Sequence, residues 1–177
     1  MRIVGGKYRS KRFNPPKNNP ARPTTDIAKE GLFNVLNNYY YFEDVKFLDL
    51  FAGTGSISYE MSSRGCEYIT CVEKFGPNVK FIVQTSKEIK ADFNVFKKDV
   101  FKYIDNCNEQ FDLIFAGPPY PLKTLATLPD LVFKNNLLTK EGWFILEHNP
   151  NHNFKDDERL KMVKNYGTTI FSIFSNQ

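Results

Sequence analysis

The residues of this 177-residue chain best suited to chemistry are acids and glycines placed where apolar runs end. Asp49 stands inside Phe47-Leu-Asp-Leu50, a run that otherwise reads as a strand covered on both faces. A carboxylate there is costly unless it is paired or meets a ligand at the strand's carboxyl end. Gly53 and Gly55 follow at once, allowing positive φ and close backbone approach, and Ser56 can open a helix whose first N–H groups face the same place. Glu73 closes a second run 18 residues after Gly55, where an acid can accept both hydroxyls of a ribose. The run Phe111-Asp-Leu-Ile-Phe-Ala116 leads into Gly117-Pro118-Pro119-Tyr120. Two prolines cannot continue a ladder, so this strand ends at 116 and its last carbonyls are open to a ligand.

The elements that must position these residues follow from periodicity. Strands are predicted at 46–50, 68–73, 93–97, 111–116 and 142–147, then a closing hairpin of 161–166 and 168–174 across Tyr166-Gly167. Helices are predicted at 56–64, stopped by Gly65, at 79–91 with Val79, Ile82, Val83 and Ile89 inward, and at 100–105, with a short helix or turn at 131–138. Thr24 or Thr25 caps a further helix with the stripe Ile27, Leu32, Val35 and Leu36, ending near Asn37-Asn38. Strands alternating with helices give an α/β doubly wound sheet. With 41% hydrophobic residues and 17 Phe, one core and a single domain over 1–177 are expected. No repeat with a period of 20 to 50 residues is present.

Charge separates the first 25 residues from the rest. They hold Arg2, Lys7, Arg9, Lys11, Arg12, Lys17 and Arg22 without an acid, +7, while the remaining 152 residues carry 17 basic and 20 acidic side chains, −3. Such a basic arm fits a polyanion partner bound through phosphates. Arg2–Val4 and Lys11–Phe13 flank Gly5-Gly6 as a small hairpin or loop, and four prolines between 14 and 23 hold the chain extended. No apolar run approaches the ~20 residues of a membrane span and the start lacks a signal-peptide core, so a cytoplasmic place is expected. Three cysteines without a C-x-x-C pair suit a reducing compartment and disfavour zinc. His148 and His152 are separated by Pro150 and have no third ligand nearby, so no metal is expected.

The glycine turn fits neither familiar phosphate-binding template: Gly53-Thr-Gly55-Ser-Ile-Ser58 lacks the third glycine of G-x-G-x-x-G, and no Gly-Lys-Ser/Thr follows. It resembles motif I of the class I S-adenosylmethionine-dependent methyltransferases. Pro118-Pro119-Tyr120 resembles their motif IV, Asp/Asn-Pro-Pro-Tyr/Phe, of the amine-methylating members. The opening Met-Arg-Ile-Val-Gly-Gly-Lys-Tyr-Arg-Ser-Lys-Arg and the segment Arg22-Pro-Thr-Thr-Asp26 are similar to the RsmD-type bacterial methyltransferases, which modify the exocyclic amine of a guanine in small-subunit ribosomal RNA. The resemblance runs from residue 1 to the Tyr166-Gly167 region and implies a seven-stranded sheet with an antiparallel last strand.

It also implies roles. Asp49, Phe51, Ala52, Gly53, Thr54, Gly55, Glu73, Asp99 and Val100 would hold S-adenosylmethionine, with Asp99 near the adenine or capping the 100–105 helix, or both. Gly117, Pro118, Pro119 and Tyr120 would form the catalytic motif, Tyr120 stacking on a flipped base. Arg2, Lys7, Arg9, Lys11, Arg12, Arg22 and Thr24 would contact 16S ribosomal RNA or an assembling small subunit, and a monomer is expected. Two positions depart from the family pattern: Ile27 replaces an arginine, and Gly117 supplies no side-chain acceptor where aspartate or asparagine is usual. Asp112 stands about 16 Å away along an extended strand and cannot replace it. Amine orientation must then use backbone carbonyls, a water or an acid from elsewhere, and the expectation is a protein that binds the cofactor but methylates slowly or not at all. The alternatives are a degenerate fold that binds RNA or cofactor without turnover, a DNA amino-methyltransferase and, disfavoured by the missing glycine, a nucleotide-dependent oxidoreductase.

Overall fold

The computed structural model describes residues 1–17 and 23–176. Among them, seven strands form one sheet: β1 (Lys46–Leu50), β2 (Tyr68–Glu73), β3 (Phe93–Lys97), β4 (Phe111–Ala116), β5 (Leu138–His148), β6 (Leu160–Tyr166) and β7 (Thr169–Ser175). Their order is 3-2-1-4-5-7-6. The first five are parallel, and β7 is antiparallel to both β5 and β6. The chain therefore winds from β1 to one edge, returns to the centre and winds from β4 to the other. Such a reversal of strand order opens a crevice outside the carboxyl ends of the two central strands. This is the class I methyltransferase architecture anticipated from the motifs.

Helices α1 (Asp26–Leu36), α2 (Ser56–Ser63), α3 (Gly76–Glu88), α4 (Val100–Ile104) and α5 (Leu128–Lys134) cover the sheet. Side chains alternate along β1, so Phe47 joins one apolar cluster with Leu32, Phe33 and Tyr59, while Leu48 and Leu50 join another with Ile114 and Phe144. Burial on both faces is why these strands read as nearly continuous apolar runs. Each fully buried Leu or Phe contributes roughly 1.5–3 kcal/mol. Among the described residues no helix is long and apolar enough to cross a membrane.

Several boundaries and faces differ from expectation. Helix α3 begins at Gly76 rather than at 79, because Pro77 fits the first turn, where its missing N–H is not needed; Val83 on that helix is exposed. Strand β5 runs from Leu138, four residues before the expected start, through an irregular register with β4 between Phe111 and Leu113. Thr25 is the α1 N-cap, accepting from the Ala28 N–H at 3.3 Å. Ile27, placed inward on the expected stripe, is instead 73% exposed. Its place is taken by Lys29, 1% exposed, which pairs with Asp26 at 3.4 Å and Glu60 at 3.5 Å and donates to the Arg2 carbonyl. Gly31 has a packing reason, since a Cβ there would enter the Tyr166 ring on β6.

The basic first segment is not a loose arm. Ile3, Val4 and Phe13 are buried, and an isolated antiparallel bridge joins Arg2 to Arg12. It packs over α2, where the Val4 N–H donates to Glu60 Oε1 at 2.6 Å and the Lys7 N–H to the Ser63 carbonyl at 2.7 Å. Carbonyls left over at the helix end thus find donors in the chain that crosses it. Gly6, at φ +72°, allows this approach, because a Cβ would collide with the Ser63 carbonyl.

Candidate active site

The loops after β1 and β4 lie side by side, because Leu50 is in register with Ala116 and the Gly117 N–H donates to the Leu50 carbonyl at 3.3 Å. They open onto one cavity of about 780 Å³. Its wall takes in Asp49, the 51–54 turn and Glu73 on one side and the 117–120 segment on the other. Of the positions implied for cofactor binding, Asp49, Phe51, Ala52, Gly53, Thr54, Glu73, Asp99 and Val100 all line it; Gly55 does not. Gly55 instead shapes the turn as the left-handed N-cap of α2, at φ +80°, where a Cβ would stand 3.0 Å from the Tyr59 ring. Phe51 and Gly53 are also left-handed, at φ 59° and 56°. A bulky residue in that region is strained, and here it turns the chain abruptly at the cavity floor.

The acids are held in different ways. Asp49, 1% exposed, accepts from Ser58 Oγ of α2 at 2.6 Å. Burial pushes its carboxyl up to about 7; the Ser58 hydrogen bond opposes this, and the nearby Glu73 and Glu147 charges add to it. Asp49 thus has a hydrogen-bond partner and also lies on the cavity wall. Glu73 Oε2 accepts from the Gly53 N–H at 2.7 Å and Oε1 from the Phe75 N–H at 2.6 Å. Burial raises its pKa while these bonds lower it, with a net upward shift. Asp99 caps α4, accepting from the Phe101 and Lys102 N–H groups at 3.1 and 3.4 Å, and also lines the cavity.

On the other side, Pro118 is buried and Tyr120 donates its hydroxyl to Glu147 Oε1 at 3.1 Å. Glu147, near the end of β5 and 5% exposed, also accepts from Thr24 Oγ1 at 2.6 Å through Oε2. Sequence reasoning assigned Glu147 only to a strand. The signal that marked Glu73, an acid closing an apolar run, was present there too. Phe75, which follows Glu73 and also lines the cavity, was missed. Asp112 is at the far end of β4, accepting from the Lys46 N–H and Thr139 Oγ1, both at 2.9 Å.

Of the positions implied for RNA, Lys7, Arg9, Lys11 and Arg12 are exposed and Arg22 lies outside the described residues. Arg2 pairs with Asp26 at 2.9 Å, and Thr24 faces the cavity rather than the basic surface. Met1 accepts from Thr54 Oγ1 at 3.5 Å through its sulfur, which brings this segment to the glycine turn. His148 and His152 stack edge to face, and the His148 ring nitrogens meet the Asn149 carbonyl and Ser172 Oγ, each at 2.8 Å. Among the described residues no group of three His, Cys, Asp or Glu side chains is placed to hold a metal.

Comparison with known proteins agrees with this arrangement. The family model described as Conserved hypothetical protein 95 matches residues 1–175. Ribosomal RNA small subunit methyltransferase D of Haemophilus influenzae is 27% identical over 97% of this chain and 91% of its own length. The protein of the same name from Escherichia coli K12 is 27% identical over 83% of this chain and 74% of its own. A hypothetical protein of Thermus thermophilus superposes with a TM-score of 0.87 at 26% identity, covering 99% of both chains. A more distant fold match is the Thermus thermophilus 16S rRNA N2 G1207 methyltransferase RsmC, solved with AdoMet and guanosine, at a TM-score of 0.69 and 18% identity over 89% of this chain and 45% of that one. With the glycine turn, the Pro-Pro-Tyr segment and the sheet order all in place, the chain belongs to the Conserved hypothetical protein 95 family, the RsmD-type methyltransferases.

Proposed function

We propose that this protein transfers the methyl group of S-adenosylmethionine to the exocyclic N2 amine of a guanine in 16S ribosomal RNA. The observation that carries the reading is the single cavity shared by the glycine turn and the Pro-Pro-Tyr segment. A methyl donor on the first would face a base on the second. The residues present fit the donor: about 780 Å³ is within the range of small-molecule sites, and two acids at strand ends flank a turn whose backbone can approach closely. Ser56 Oγ, buried at the same wall, has no hydrogen-bond partner among the described residues, as expected of a group awaiting a polar ligand. When bound, the donor supplies a methyl on a positively charged sulfur.

Asp49 and the 51–55 turn would hold the amino acid part, Glu73 the ribose hydroxyls, and Asp99 with Val100 the base, between the apolar surfaces of Phe75 and Phe101. A nucleobase amine is a weak nucleophile, so aiming and desolvating it are the main tasks left to the protein. The Pro118 carbonyl would accept from the amine and Tyr120 would stack on the base. The exposed cations of residues 7–12 would hold the phosphate backbone, consistent with the relatives named for small-subunit ribosomal RNA. A cytoplasmic place and action as a monomer belong to the same reading.

The test pairs calorimetry with S-adenosylmethionine and tritium transfer to 16S ribosomal RNA from cells lacking this gene, with mass spectrometry locating the product. Micromolar binding and a new N2-methylguanine are expected. Binding without transfer would favour a binding-only protein, and methylated DNA or another ribosomal RNA position would redirect the assignment.

A further inference from the structure

We propose that Glu147 supplies the acidic acceptor that Gly117 lacks: a carboxylate from β5 takes the place on the target amine that a side chain at 117 would otherwise fill. This rests on the methyl-transfer reading above. A Cβ built on Gly117 would lie 4.0 Å from Glu147 Oε2. An aspartate there would extend its carboxylate only one or two bonds further, roughly 1.5 Å each, so the Glu147 carboxylate stands beside the space its oxygens would occupy. Glu147 lines the cavity together with Pro118 and Tyr120.

It is also held in place. Tyr120 and Thr24 donate to different oxygens, at 3.1 and 2.6 Å, so the carboxylate is fixed by the residue meant to stack on the base and by the segment leading into α1. The acid, 5% exposed, closes the apolar run Trp143–Leu146 of β5, where these two hydrogen bonds offset the cost of burying it beside the cavity. In the reaction one amine N–H donates to Glu147. The nitrogen lone pair forms the new N–C bond, the C–S bond breaks with its electron pair left on sulfur, and the surplus amine proton leaves to the carboxylate and then to water. Glu147 thus touches the reacting group directly, and the glycine at 117 gives no ground for expecting slow transfer.

The same geometry makes restoring the family's residue at 117 harmful. Gly117→Asp would set two carboxylates against each other and press on Phe115 Cε1, 3.1 Å from the new Cβ. Like charges so close disfavour ionisation of both.

The experiment measures kcat for methyl transfer to small subunits from cells lacking the gene, alongside the S-adenosylmethionine Kd, for the unaltered chain, Glu147→Gln, Gly117→Asp and the double variant. Losing one charged hydrogen bond predicts a fall in kcat of about 10- to 100-fold in Glu147→Gln, with Kd within about twofold. Gly117→Asp alone should fall by about tenfold, and in the double variant kcat should recover at least about fivefold over Glu147→Gln as the acid is relocated. Loss of a purely structural tie to Thr24 and Tyr120 would not be mended from position 117. Unchanged kcat in Glu147→Gln, or no recovery in the double variant, overturns the proposal. Should Glu147→Gln fail to fold, a gain in kcat for Gly117→Asp overturns it alone. An unaltered chain that binds the cofactor and transfers nothing sinks the functional reading as well; an active one with an equally active Glu147→Gln sinks only the role of Glu147.

Discussion

The two sides of the cavity gather their acids by different routes. On the β1–β2 side, Asp49 stands one residue before the end of β1 and Glu73 closes β2, and Glu73 ties the turn by accepting from Gly53. On the β4–β5 side, the loop of 117–120 brings no acid of its own, and the carboxylate beside it comes from Glu147, 30 residues further along the chain on the next strand. On the first side one acid lies on the strand that leads into the turn and the other ties the turn from the neighbouring strand, whereas on the second the carboxylate comes entirely from the neighbouring strand. Substitutions on the first side should therefore act on cofactor affinity, and on the second on turnover.

The sharpest test of that division is Glu73→Ala. It removes an acceptor and leaves the Gly53 and Phe75 N–H groups without their partner, so the S-adenosylmethionine Kd measured by calorimetry should rise about 100-fold or more. A Kd within a few-fold of the original would dissolve the contrast between the two sides. Lys29→Met comes next. It takes the more deeply buried of two cations from Glu60, 0% exposed, leaving Arg64 at 3.7 Å, and should lower unfolding free energy by about 3 kcal/mol in a urea titration. Because that ion pair holds the first segment and α1 over α2, the variant should also weaken cofactor binding more than it slows transfer once the cofactor is saturating.

A smaller effect belongs to pH. Asp49 is raised from its ordinary value of 3.8 to about 7 in the fold, so between those values the folded chain binds more protons than the unfolded one. Stability of the ligand-free protein then falls as pH rises from about 4 to 7 and levels off above. Affinity for a cationic ligand should move the other way, rising up to about tenfold from pH 6 to 8 as the carboxylate forms, and Asp49→Asn should flatten both curves. Denaturant melts and calorimetry at each pH would show it. The smallest effect is on the exposed basic surface. Neutralising Arg9, Lys11 and Arg12 one at a time should weaken RNA binding a few-fold each and reduce the salt slope by about one per lost phosphate contact, without altering the S-adenosylmethionine Kd.

Local order explains what could be read in advance. The strand boundaries at Leu50, Glu73 and Ala116, the left-handed Gly53 and Gly55, and the cap at Asp99 each depend on residues within one turn or strand. Ile27 and Lys29 went unforeseen because the face a helix buries depends on its neighbours: a lysine can turn inward when Glu60 and Asp26 wait for it, and an isoleucine can then face solvent. Thr24 was legible as a helix-start residue but not as a donor to Glu147, since that bond spans 123 positions.

By itself the sequence determined the sheet, the turn at its centre and the family to which the chain belongs, because these rest on short-range pattern: apolar period, glycine at positive φ, proline where a ladder must stop. Only the tertiary structure decided which carboxylate faces the place left open at Gly117. Strand order sets neighbours in a sheet regardless of distance along the chain, and it put β5 beside β4, bringing Glu147 to a position that spacing alone does not reveal.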